Sequence, residues 1–263
     1  MEGISGLIDW EETSSKAGAQ YERARKLMAQ DANAAAIGAF DGGADEVIVN
    51  DAHGSMRNIL VEDLDERVRL ISGAGKPLSM MQGVKDSDVA IFVGYHSRAH
   101  SRGVMNHTYT GSLLEYRING QVYGECGMNA LLAGHFGVPV IMVTGDNEAT
   151  AEASELIPGV RTVSVKDAVG QVSANLIHPV RAASMIRDTA TTAVRLAKDH
   201  RPQPLAVPKP VTLELRFARS LQADVASVMP GAERVGANAV AWKGCDYLDC
   251  YRAFRAMVAL AAW

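Results

Sequence analysis

The stretch "GYHSRAHSRGVMNH", residues 94–107, follows the apolar run "VAIFV" and holds three of the chain's seven histidines, at 96, 100 and 107. Imidazole binds divalent metals and exchanges protons near neutral pH. Other groups of suitable type stand after other apolar runs. Asn50, Asp51 and His53 follow "EVIV", Asp146, Asn147 and Glu148 follow "VIMV", and Glu125 lies in "GECG". Imidazole nitrogens with carboxylate oxygens suit zinc, and two such ions side by side clamp an attacking water and a leaving group. Each residue also has a plainer role open to it. A histidine after a strand is commonly a hydrogen-bonded loop residue, Asp51 suits a turn, Asp146 suits a helix cap, and Glu125 suits a helix N-terminus. His96 and His100 are spaced as on one helix face, but no Glu follows His96, and Arg98, Ser101 and Gly103 point to an irregular loop. "GAGK" at 73–76 lacks the spacing and the hydroxyl residue of a phosphate loop. Cys126 reads as a small core residue.

The elements that must position these groups alternate between strand and helix. "QYERARKLMAQDANAAAIGAFDGG" has helical periodicity and a glycine stop. "EVIVND", "VRLISG", "VAIFVGYH", "VPVIMVTGD" and "VRTVSVK" read as strands, with a short helix or turn over "KPLSMMQGV". "CGMNALLAGHFG", "NEATAEASELIPG" and "HPVRAASMIRDTATTAVRLAKDH" read as helices, the last with Pro179 in its first turn. Asn119-Gly120 between apolar alternations marks a β-hairpin. The pattern predicts an α/β protein, three-layer α/β/α with a mixed, mostly parallel sheet. Its ligand site is expected at the carboxyl ends of the strands. "RPQPLAVPKP" (201–210) reads as a stiff linker. It separates a catalytic domain at 1–200 from a smaller α+β portion at 211–263 with the strands "VTLELRFA" and "ERVGANAVAWKG", the helix "SLQADVASVM" and a final helix reaching Trp263.

Composition narrows the class. A net charge of −4 argues against a nucleic-acid surface. No apolar run is long enough to span a membrane, and no signal peptide is visible. Three scattered cysteines give no disulfide framework, so a cytoplasmic protein is expected.

Ordered stretches of the chain resemble the D-aminopeptidase family of zinc peptidases. They are "MEGISGL" (1–7), "VNDAHGSM" (49–56), "LISGAGKPLSMMQGV" (70–84), "GYHSRAHSRGVMNHT" (94–108), "INGQVYGECGMNA" (118–130), "VPVIMVTGD" (138–146), "ELIPGV" (155–160) and "VK" (165–166). "VMPGAE" at 228–233 is also similar. The resemblance implies hydrolysis of an N-terminal D-amino acid from a short peptide by two zinc ions. It places Glu2, His53, His96 and Glu125 as metal ligands and His107 as the catalytic group, with His100 outside the metal shell. Asn106 and Lys166 are candidate substrate-positioning groups. The family also implies a ring-shaped homo-oligomer, a decamer. Another metal-dependent amidase and a catalytically impaired peptide-binding homologue are the alternatives. One departure stands out. The family opens with a short apolar strand that delivers an Asp two residues before the Glu matched by Glu2, and this sequence starts at Met1-Glu2. The sheet is therefore expected to lack a central strand and the site its bridging carboxylate. Such a chain would be less stable or metal-deficient, with one zinc lost.

Overall fold

The computed structural model describes residues 1–262; Trp263 lies outside the described residues. The sequence folds into a mixed α/β architecture whose central sheet runs β3 (Ala90–Tyr95), β6 (Val140–Asp146), β7 (Arg161–Gly170) and β8 (Ser173–Leu176). The first three are parallel, and β8 returns antiparallel to β7. All seven residues of β6 are buried, as a parallel strand covered on both faces requires. On one face lie α2 (Ala19–Asp41) and α5 (Pro179–Asp199). Their seam is built from small residues, including Ala35, Ala39, Ala182 and Ala190. A Cβ at Gly38 would come within 2.3 Å of the Arg187 carbonyl, so glycine there allows the two helices to close together. On the other face lie α3 (Glu125–His135) and α4 (Asn147–Leu156), against Phe92, Val140 and Val143.

A second sheet of five antiparallel strands runs β10 (Glu233–Gly236), β11 (Ala239–Gly244), β9 (Val211–Phe217), β4 (Leu113–Ile118), β5 (Gln121–Tyr123). The β4–β5 hairpin turns through Asn119 and Gly120, both with positive φ (50° and 84°), the conformation that favours this dipeptide. Its strand β4 pairs along β9, from Leu113↔Phe217 to Ile118↔Leu213. Strands from both sides of the proline-rich stretch thus share one sheet, so 211–263 is completed by residues 113–123. Between this sheet and α3 packs α7 (Tyr247–Leu260), with α6 (Ser220–Ala226) beside it. The Tyr247 hydroxyl donates to the Met128 carbonyl at 2.7 Å and meets the Tyr116 hydroxyl at 2.9 Å, tying α7 to α3 and β4.

The central sheet is interrupted. β1 (Ile48–Asn50) and β2 (Arg69–Ile71) form a separate parallel pair. Between β1 and β3 runs a cavity of about 1080 Å³, walled by Val47–Val49, by Ala90–Val93 and by Ala32, Ala35 and Ala39 of α2.

Candidate metal centre and active site

Five elements bring side chains to the head of that cavity. β1 ends in Asn50, and the turn after it is organised by buried Asp51, whose carboxylate accepts the Asn58 and Ile59 amides at 2.6 and 2.8 Å. Asp51 is a turn former, and the turn presents His53. His96 follows β3 directly. Glu125 is the first residue of α3, after Gly124 as N-cap. The irregular loop after His96 carries His107 and is held by Asp146, which caps α4 at Ala149 and also accepts the Val104 amide. Glu2 lies on a turn-rich segment closely applied to β3. The Gly3 amide donates to the Gly94 carbonyl at 3.1 Å, and a Cβ at Gly3 would lie 1.7 Å from the Tyr95 carbonyl.

Glu2, His53, His96, His107 and Glu125 all line this one cavity. They fall into two groups. His53 Nδ1 is 3.2 Å from Glu2 Oε1. His96 Nε2 and His107 Nε2 are 3.2 and 3.5 Å from Glu125 Oε1, and ligand atoms of these three residues lie within 4.8 Å of one another. The two imidazole rings stack with centroids 3.9 Å apart. Every one of the three imidazoles places its remaining nitrogen on a backbone carbonyl: His53 on Thr13 at 3.1 Å, His96 on Ser97 at 3.0 Å, His107 on Met105 at 3.0 Å. Donation from that nitrogen to the carbonyl would leave the other nitrogen, which now faces a carboxylate, free to bind a metal. Metal-binding histidines show this arrangement, so the donor set fits zinc.

The electrostatics follow from burial against charge. Burial raises Glu125, but the charge and hydrogen bond of His96, the charge of His107 and the Tyr109 amide (2.7 Å) outweigh it and hold the carboxyl at about 2. Burial lowers His96, but Glu125 and Glu2 raise it to about 9. Glu2 is likewise buried, yet the Met1 ammonium, His53 and His96 keep it well below the usual carboxylate range. For His107 burial dominates, joined by the charge of His96, and the ring is pushed down.

The remaining expected residues sit elsewhere. His100 is exposed in a turn at φ 63°, away from the cavity. Asn106 turns its amide back to the Gly103 carbonyl at 2.8 Å and braces its own loop. Lys166 is fully buried, and its ammonium donates to the carbonyls of Glu2, Ile4 and Leu7 at 2.7, 3.0 and 2.6 Å. Burial lowers its pKa to about 8. With every proton used, Lys166 serves the segment that carries Glu2 and has none left for a substrate. Sequence reasoning missed Trp10, in the short helix α1 (Trp10–Thr13), whose ring meets His107 edge-on at 5.1 Å. It also missed Glu152, which accepts the Arg98 amide at 2.9 Å two residues beyond His96. Neither carries a motif.

His53 and His96 stand just beyond parallel strands and share one cavity with Glu2, His107 and Glu125, an arrangement suited to a metal-binding α/β enzyme. The comparisons with known proteins give the particular family. A family model described as D-aminopeptidase matches residues 1–256. The D-aminopeptidase of Bacillus subtilis (strain 168) is 40% identical over 264 residues, covering 99% of this chain and 95% of the relative. A solved structure, the Zn-dependent D-aminopeptidase DppA from Bacillus subtilis, described as a self-compartmentalizing protease, superposes with a TM-score of 0.93 at 38% identity, covering 99% of this chain and 95% of that one. The chain belongs to the D-aminopeptidase family.

Proposed function

We propose that this protein hydrolyses the N-terminal D-amino acid from short peptides at a two-zinc site held by Glu2, His53, His96 and Glu125, with His107 as its proton-handling group. The observation that carries this reading is the set of three imidazoles, each braced on a carbonyl and aimed at Glu2 or Glu125 in one cavity. Two ions are favoured by the two ligand groups, Glu2 with His53 and Glu125 with His96. Bound zinc would polarise the scissile carbonyl and acidify the attacking water. The rest falls to the chain. The two buried carboxylates favour the substrate's free ammonium group at the head of the cavity. His107, with Nδ1 donating to Met105, turns an accepting Nε2 toward the cavity, suited to take a proton and return it to the departing amine. Asn106 and Glu152 hold the loops of His107 and His96.

The test is zinc content together with turnover of D-Ala and L-Ala p-nitroanilides. About two zinc per chain with strong preference for the D-substrate supports the proposal. Equal turnover of both enantiomers points to a general amidase, and full zinc without turnover of either points to a peptide-binding protein. The related DppA is described as self-compartmentalizing. We extend ring assembly, with the family's decamer as the expected size, to this chain. The exposed Val169 and Val172 at the tip of the β7–β8 hairpin support a contact surface. Sedimentation of a monomer at micromolar concentration would refute ring assembly.

A further inference from the structure

The segment from Met1 to Asp9 has no regular secondary structure, so no sheet ladder takes up its backbone groups. Buried carbonyls in such a segment need donors. Three of them, on Glu2, Ile4 and Leu7, converge on the Lys166 ammonium. A bulge brings this about: between Gly145↔Ser164 and Asp146↔Lys166 the register of β7 against β6 slips by one residue, so Val165 and Lys166 are both fully buried. The ammonium is a compact head with three donors, matched one to one by three carbonyls at 2.6–3.0 Å. Other anchors hold other points: Ser5 is bound through its amide and hydroxyl to Asp31, and Gly6 through its carbonyl to Arg23. The carbonyl of Glu2 itself is held by Lys166.

We propose that Lys166 is a positioning residue of the metal centre: its ammonium gathers the segment 2–7 around itself and so sets the Glu2 carboxylate against His53. This rests on the metal-centre reading above. A merely structural lysine would stabilise the fold without a specific link to Glu2; a positioning lysine acts on zinc through Glu2.

The experiment is a double-mutant cycle on zinc affinity, read by competition with a chromophoric chelator on the full chain. The variants are Lys166→Met, Glu2→Gln and their combination, with Ser5→Ala as a control that cuts a neighbouring anchor. Lys166→Met is expected to weaken zinc binding about 10- to 100-fold, as loss of an orienting group does. In the Glu2→Gln background the same change is expected to cost less than about twofold. Ser5→Ala is expected to stay near wild type. Should Lys166→Met fail to fold, Lys166→Gln, which keeps a donor in the pocket, enters the same cycle with the same expected non-additivity. Losses that multiply overturn the proposal. So does a Lys166 variant that binds zinc as wild type does, or a Ser5→Ala loss equal to that of Lys166→Met. Wild type that takes up no zinc overturns the metal-centre reading, and this inference with it.

Discussion

His107 lies where a ligand and a proton-transfer group are hard to tell apart: its Nε2 faces Glu125 at 3.5 Å and its ring stacks on His96. The two roles separate on substitution. His107→Ala is expected to keep its zinc and lose about 10²- to 10⁴-fold in kcat, the range for a displaced acid–base group. Metal analysis beside steady-state kinetics checks this; loss of a zinc would make His107 a ligand. The candidate site's polar residues were legible through the motifs that carry the family resemblance, His53 in "VNDAHG", His96 in "GYH" and Glu125 in "GECG", since position after a strand alone left a plainer role open to each. Their supports were not. The carbonyls of Thr13, Ser97 and Met105 and the amide of Tyr109 are backbone groups on irregular turns, which residue identity does not mark. Lys166 was legible as important but assigned to substrate. Only the three-dimensional path of residues 2–7 shows where its protons go.

The helices and hairpin show what local pattern can and cannot tell. α5 has its proline at the first position and a clear apolar stripe, and the Asn-Gly turn has the backbone its residues favour. β8 escaped notice because its hairpin tip is exposed, with Val169 at 76%, and gives no buried alternation. The pairing of β4 with β9 joins positions about a hundred residues apart, beyond any periodicity argument. The packing of α2 yields a pH prediction. Asp31, fully buried on that helix, is raised to about 6 from 3.8 by burial, partly offset by the Ser5 amide and hydroxyl. Between these values the folded state keeps a proton that the unfolded state releases. The associated stability is therefore complete below about pH 4, declines as pH rises to about 6 and is gone above. The full effect is on the order of 3 kcal/mol. Asp31→Asn is expected to flatten that slope and to gain on wild type as pH rises. Melting temperatures at pH 4 to 7 check it, and parallel curves for the two proteins would refute it. At the far end of α3, a Cβ on Gly134 would lie 1.7 Å from the Leu205 carbonyl. Gly134→Ala is thus expected to lift the 201–210 strap and destabilise by about 1–3 kcal/mol, as overpacking does, measured by urea denaturation.

At the scale of the molecule, the sheet is divided by the slot between β1 and β3. The flanking strands end at Asn50 and Tyr95, both of which line the slot, and the Gly3 amide already bonds to the Gly94 carbonyl. A polypeptide leading into Met1 is therefore expected to lie in the slot between the two strands. Its backbone would pair with edges that otherwise present unmatched groups. Its side chains would cover Ala32, Ala35 and Ala39 on α2. The central sheet would then be continuous, in the order β2-β1-new strand-β3-β6-β7-β8. Strands rise about 3.3 Å per residue, so some six residues match the length of β3. Appending six β-branched and apolar residues ahead of Met1 is expected to stabilise by at least about 2 kcal/mol through buried apolar area, raising the melting temperature by about 4–8 °C. Zinc retention through dialysis is expected to rise with it, since Glu2 would then extend from a strand rather than from a free end. A polar extension of equal length (Gly-Ser repeats) controls for added chain alone. Equal melting temperatures and equal zinc for the apolar, polar and unextended forms would show that the two halves of the sheet need nothing between them.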